Sequence, residues 1–222
     1  MLFSNTEIAQ FINDHFEPAW QSVRPVPTIQ IDFGDGRSVK RTLHGNIATY
    51  VCTSSGIVLD VLPGLYQPFS YLDNLKQICL LTQYFQENGQ AGLANYHAKQ
   101  AHALERRFKP CQLIAARDHV DLVEPNEPPP RMTLNLEPPK ECPDLNSPEA
   151  IRNWKALVAE TQFNNIFRRR QIHEKLGASQ STPPQLTSWL YKEVLHSDIN
   201  DPYLGLKETL SQTYPFPNGA LR

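Results

Sequence analysis

Four cysteines, seven histidines and a scatter of carboxylates are the side chains of this 222-residue chain that can do chemistry. Thiol–disulfide exchange needs two cysteines about one helical turn apart, so that one thiolate attacks and the other resolves. Cys52, Cys79, Cys111 and Cys142 lie about thirty residues from one another, and no pair has redox-motif spacing. Cys52 sits in an apolar strand pattern, where a cysteine behaves as a small buried residue, and it has no basic neighbour to stabilise a thiolate. His97, His102, Cys111 and His119 are metal-ligand types. His97 and His102 are five apart, however, which spreads them around a helix, and no short paired ligand motif accompanies them. No metal and no cofactor is expected. His196-Ser197-Asp198-Ile199-Asn200-Asp201 resembles a calcium loop but lacks its glycine and closing glutamate, so capping between two helices explains it better. Asp118 and Asp121 read as surface carboxylates. With no glycine-rich phosphate loop and no nucleophile elbow, no residue is assigned a catalytic role.

The composition narrows the class. Hydrophobic residues make up 40% and charged residues 20%, enough for a real core in a globular protein. The 21 basic and 23 acidic residues leave a formal charge of −2, without the clustered positive field that nucleic acid or an anionic membrane demands. The densest basic stretch, Arg168-Arg169-Arg170, falls in a helical pattern and reads as a solvated face. No apolar run approaches the ~20 residues of a membrane span. The start Met1-Leu2-Phe3-Ser4-Asn5-Thr6-Glu7 is not a secretory signal, so a cytoplasmic location is the default expectation.

The elements follow from local signals. Ser4 or Asn5 caps a helix that carries Ile8, Phe11 and Ile12 and fades near His15. Glu17 to Val23 reads as extended, and Arg24-Pro25-Val26-Pro27 excludes helix. Thr28 to Phe33 and Ser38 to Leu43 form a hairpin around Gly34-Asp35-Gly36. Ile47–Thr53 and Ile57–Pro63 form another around Ser54-Ser55-Gly56. Pro68 opens a helix that Asn88-Gly89 stops, and a second runs from about Ala91 to Phe108, where Lys109-Pro110 breaks it. Leu113 to Ala116 reads as a further short helix. Eight of the nineteen prolines fall between Pro125 and Pro148, a semi-rigid polyproline spacer. Helices are then expected from Ser147-Pro148, with Ile151, Trp154, Leu157 and Val158 on one side; from Thr182-Pro183-Pro184-Gln185; and from Asp201-Pro202. Trp189, Tyr191, Tyr203, Tyr214 and Phe216 are expected to dock this helical tail onto the main domain, the alternative being a partner-binding patch. The division is 1–124 for an α/β domain with a helical extension, 125–147 for the linker and 148–222 for a helical C-terminal unit.

The stretch from Ser4 to about Gln77 resembles the later part of thioredoxin-like proteins. The segment Asn5 to Phe16 is similar to the end of the family's redox-motif helix, Glu17 to Val23 to the strand after it, and Ala48-Thr49-Tyr50-Val51-Cys52 with Gly56 to Gly64 to its last two strands. The resemblance implies an α/β fold: a partial thioredoxin-like mixed sheet with an inserted β-hairpin, followed by an α-helical C-terminal region. Three departures stand out. Ala48 occupies the family's cis-proline position, and since a cis bond before a non-proline costs about 3 kcal/mol, a trans peptide is expected. The Thr28–Leu43 hairpin replaces a helix. The Cys-x-x-Cys segment and the strand central to the family's sheet have no counterpart, which leaves buried strand edges to be satisfied at about 1–3 kcal/mol per unpaired group.

The resemblance places the family's substrate groove beside His44-Gly45-Asn46, so His44, Asn46, Ile47 and Ala48 are the expected contact residues. The function expected is that of a non-catalytic thioredoxin-like protein acting through protein contacts, either with a protein partner or as a homodimer that completes its sheet between chains. The alternative is the C-terminal portion of a thiol–disulfide oxidoreductase whose Cys-x-x-Cys lies upstream of Met1.

Overall fold

The structure, a computed structural model, describes residues 2–42, 47–115 and 147–207. The chain divides into two compact units, one of Met1–Pro18 with Ala48–Pro183 and one of Ala19–Ile47 with Pro184–Arg222. This differs from the linear division expected, because the helices over 148–178 belong with the N-terminal helix and the second hairpin, while residues 184–222 belong with 19–47. Most of the linker itself, 125–146, lies outside the described residues.

In the first unit a 3-10 turn, Leu2–Ser4, leads into α1 (Thr6–His15). Asn5 is the cap: its Oδ1 accepts the Ile8 N–H at 3.1 Å. No strand follows at 17–23, because that segment pairs with no other strand. β3 (Ala48–Cys52) and β4 (Val58–Pro63) form the expected antiparallel hairpin, with Tyr50 opposite Val61 and a bulge near Cys52. Gly56 turns it at φ 83°. No cis peptide occurs among the described residues, and the bond before Ala48 is trans.

α2 (Pro68–Ala115) starts at the predicted proline and is interrupted at Gly89 (φ 60°, ψ −157°), giving arms 68–88 and 90–115. The second arm passes through Pro110 to Ala115, so the break expected at Lys109-Pro110 and the separate helix at Leu113 are corrected to one continuous arm. α3 (Pro148–Phe163) is capped by Ser147, whose Oγ accepts the Ala150 N–H at 3.0 Å. It runs through a π-helical turn, Asn164–Arg168, into α4 (Arg169–Ala178). The apolar side expected on α3 is only partly covered, since Ile151 is exposed and Leu157 and Val158 are half-buried.

The core gathers Ile8 of α1, Val51 and Leu62 of the hairpin, and Tyr66, Tyr71, Leu72, Leu75 and Ile78. A second cluster sets Leu59 against Leu81 and Leu93, one from each arm of α2. β4 is buried along its whole length, the pattern of a strand covered on both faces.

The second unit contains β1 (Thr28–Asp32) and β2 (Ser38–Thr42), antiparallel with Ile31 opposite Val39, then α5 (Pro183–Trp189) and a π-helical turn, Leu190–Val194. The helix expected to start at Asp201-Pro202 is instead a series of turns over 201–205, and the expected helix beyond Lys207 lies outside the described residues. Asp201 Oδ1 accepts the N–H groups of Tyr203 and Gly205, bonds that curl the chain at Leu204 (φ 58°) and Gly205 (φ 73°). The fold is thus mixed α/β. Its described strands pair as two separate two-stranded antiparallel sheets, however, not as the single mixed sheet expected.

Candidate functional site

β4 contains one charged residue in an otherwise apolar run, Val58-Leu59-Asp60-Val61-Leu62. Asp60 is 0% exposed, and a buried carboxylate must be paired and hydrogen-bonded to be tolerated. Its partner is Arg169, the first residue of α4, whose Nη1 and Nη2 each donate to a carboxylate oxygen at 2.7 Å. Two parallel bonds are the geometry in which guanidinium and carboxylate interact most strongly. Arg169 is therefore not the solvated residue its neighbours suggested. The π turn at 164–168 adds a residue to the helical turn and swings Asn164, Arg168 and Arg169 toward the hairpin.

The same residues satisfy the strand's outer backbone edge. Arg169 Nη1 also donates to the Val61 carbonyl at 2.9 Å, and the Val61 N–H is bonded to Asp60 Oδ1 at 2.8 Å. His97, from the second arm of α2, donates from Nε2 to the Leu59 carbonyl at 3.0 Å. The Val58 N–H is taken by the Ser181 carbonyl at 2.9 Å. Side chains and one loop carbonyl thus do the work of a neighbouring strand.

His97 is held in turn by His173 of α4, with the two Nδ1 atoms 2.8 Å apart. Tyr96 stands edge-on to both imidazoles. α2 and α4 can approach this closely because Gly177 has no side chain: a Cβ there would lie 3.3 Å from the Ala98 backbone nitrogen and 3.5 Å from the His97 Cβ.

The electrostatics follow from the enclosure. Burial lowers the proton affinity of His97 below its ordinary value; Asp60 opposes this and Arg169 adds to it. His173 is driven well below 6.5 by burial, then by Arg169 and by His97. Burial works against the Arg169 charge, but Asp60 and Tyr66 outweigh it and raise the guanidinium's proton affinity. The Tyr66 hydroxyl, buried near this pair, is held protonated.

A second polar lock fixes the turn from β4 into α2. Asn164 donates to the Leu65 carbonyl at 2.7 Å, and the Gln67 N–H donates to Thr161 Oγ1 at 2.8 Å. Gly64 (φ 76°) lies so close that a Cβ would sit 2.7 Å from Arg168 Nη1 and 2.9 Å from Asn164 Nδ2.

Of the four expected contact residues, His44 and Asn46 lie outside the described residues. Ile47 and Ala48 are half-buried, and Ala48 opens β3 opposite Pro63. Of the histidine–cysteine set, His97 is buried and His102 exposed; the Cys111 side chain and His119 lie outside the described residues. Asp118, Asp121 and Cys142 lie outside them as well. Among the described residues no group of three or more His, Cys, Asp or Glu is placed to hold a metal. The loop at 198–202 turns its carbonyls onto a guanidinium, since Arg24 donates to Ile199, Asp201 and Pro202. No helix among the described residues is long and apolar enough to cross a membrane.

Sequence reasoning missed Asp60, Arg169 and His173. The signal for the first was present: a lone carboxylate inside a fully apolar strand requires a buried cation. Which arginine answers it, and which side chain meets His97 from 76 residues away, is not written locally. Comparison with family models, with curated proteins and with solved structures finds no match to this chain.

Proposed function

We propose that this chain is a thioredoxin-like α/β module that acts through protein contacts and performs no thiol chemistry of its own. The order α1, β3, β4, α2 supports the resemblance, as does the packing of Ile8 against Val51, Leu62 and Leu75. Burial raises the proton affinity of the Cys52 and Cys79 thiols, which disfavours the nucleophilic thiolate.

The observation that carries the contact reading is the β1–β2 hairpin. Ile31 and Val39 are register partners and share a face, and Phe33 continues that face two residues on. All three are exposed, Phe33 by 60%, while Gln30, Asp32, Ser38 and Lys40 occupy the opposite face. Trp20 of the same unit is 90% exposed. Adjacent exposed apolar side chains of this kind, aromatic ones above all, mark protein contact surfaces.

Two measurements test the reading. In dithiothreitol-driven insulin reduction the purified chain should add nothing to the rate with dithiothreitol alone; acceleration that Cys52→Ser abolishes would refute the non-catalytic part. A photo-crosslinking residue at position 33, in the cell of origin, should give discrete protein adducts that disappear with Ile31→Ser and Val39→Ser. Equal adducts from position 40, on the polar face, would refute the contact part.

A further inference from the structure

We infer that His97 and His173 form an acid-released latch that holds α4 against α2 and keeps the outer edge of β4 closed. The proton arrangement follows from the acceptors. A carbonyl only accepts, so His97 must carry its hydrogen on Nε2 to bond Leu59. In the neutral ring this leaves His97 Nδ1 as a lone pair, and the 2.8 Å contact then requires the hydrogen on His173 Nδ1. One proton too many breaks the arrangement. Protonating His97 puts N–H groups on both sides of the contact, and protonating His173 at Nε2 places a cation beside Arg169.

The anion that acts on the pair is already engaged. β4 contributes Asp60, whose carboxylate oxygens are both taken by Arg169. α4 contributes Arg169, itself positive; α2 contributes Tyr96, edge-on to both rings; and Tyr66 adds a neutral phenol near Arg169. Both imidazoles bind protons less readily here than in an open chain. As pH falls, the open state therefore gains protons first. Closure is complete above about pH 6.5 and weakens steadily below it. When the latch opens, the Val61 carbonyl and the Asp60 carboxylate lose their donor, because Arg169 leaves with α4, and His97, left on α2, loses the partner that fixes its ring against the Leu59 carbonyl. An unpaired strand edge results, ready to pair with another strand.

The test is amide hydrogen exchange on the full chain at pH 7.5, 6.0 and 5.0, corrected for the intrinsic pH dependence of exchange. Protection across 58–63 and 169–178 should fall below pH 6 by up to tenfold per pH unit for each histidine that protonates on opening. Protection in 6–15 and 68–81 should hold. Equal loss in all four segments would mean general acid unfolding and would overturn the latch. His173→Leu, where it folds, should remove one proton's share of the dependence; an unchanged dependence would overturn it. Long-range 1H–15N spectra of the wild-type chain give a reading that needs no variant. They should show His97 as the Nε2–H tautomer and His173 as the Nδ1–H tautomer at pH 7, and an imidazolium on either ring at pH 6.5 in the closed state would overturn the inference.

Discussion

The two hairpins of this protein are close in size and opposite in circumstance. β1–β2 and β3–β4 are each antiparallel, each turned by glycines at positive φ, and each five or six residues per strand. Yet every residue of β4 is buried and its outer edge is closed by His97, Arg169 and Asp60, whereas residues 30–40 of β1–β2 are exposed on both faces. Strand-forming tendency did not separate them, since both hairpins are rich in β-branched residues. What separates them is the supply of helices. Both arms of α2, and α4 after them, cover the second hairpin. A hairpin becomes core when long-range partners close its faces and edges; otherwise it stays a marginal element with an apolar face to offer.

The sharpest way to break this contrast is to remove the charge lock. Arg169→Ala should leave the Asp60 carboxylate buried and unpaired and cost about 3–5 kcal/mol in denaturant unfolding. The double variant with Asp60→Ala should cost clearly less than the two single variants summed, because the orphaned charge is then gone. If Arg169→Ala cost under 1 kcal/mol, the β4 edge would not depend on it.

Cavity formation should come next. Leu62→Ala removes a fully buried side chain from the centre of the larger cluster, with an expected loss of about 2–5 kcal/mol by the same measurement. Glycines give a finer comparison. Gly56→Ala should cost about 1 kcal/mol, from its left-handed backbone alone, since nothing lies within 4 Å of the added Cβ. Gly64→Ala adds to that strain the displacement of Arg168 and Asn164 and should cost distinctly more. Equal melting temperatures for the two variants would show that the second polar lock is loose. The smallest effect is expected on the other hairpin: Ile31→Ala and Val39→Ala should each shift stability by no more than about 0.5 kcal/mol. A loss of 2 kcal/mol at either position would mean that this face is covered in solution.

Much of the local structure was legible. Glycine at each hairpin turn, proline at the first position of α2 and α3, and Ser147 before Pro148 all act within four residues of themselves, and the expected elements appear there. One failure has an identifiable cause. Asp201-Pro202 has the chemistry of a helix start, but Asp201 Oδ1 takes two N–H groups of a tight turn, and Arg24 takes the carbonyls at 199, 201 and 202. Pro110 should break a helix, yet α2 continues to Ala115. Of the site, only the oddity of Asp60 and the burial of a histidine at position 97 could be suspected. In Arg168-Arg169-Arg170 no local rule selects the middle residue as the one that turns inward.

The sequence alone determined where the chain turns and caps and which runs are apolar enough to form strands or helices, because these depend on backbone sterics and on hydrogen bonds between near neighbours. Only the tertiary structure decided which hairpin was enclosed, which of three arginines met Asp60 and that His97 faced His173. Those outcomes depend on burying charge and on satisfying a strand edge with groups as far along the chain as Ser181, 123 residues beyond Val58. The cost of leaving such groups unpaired exists only once the surrounding helices have removed the water.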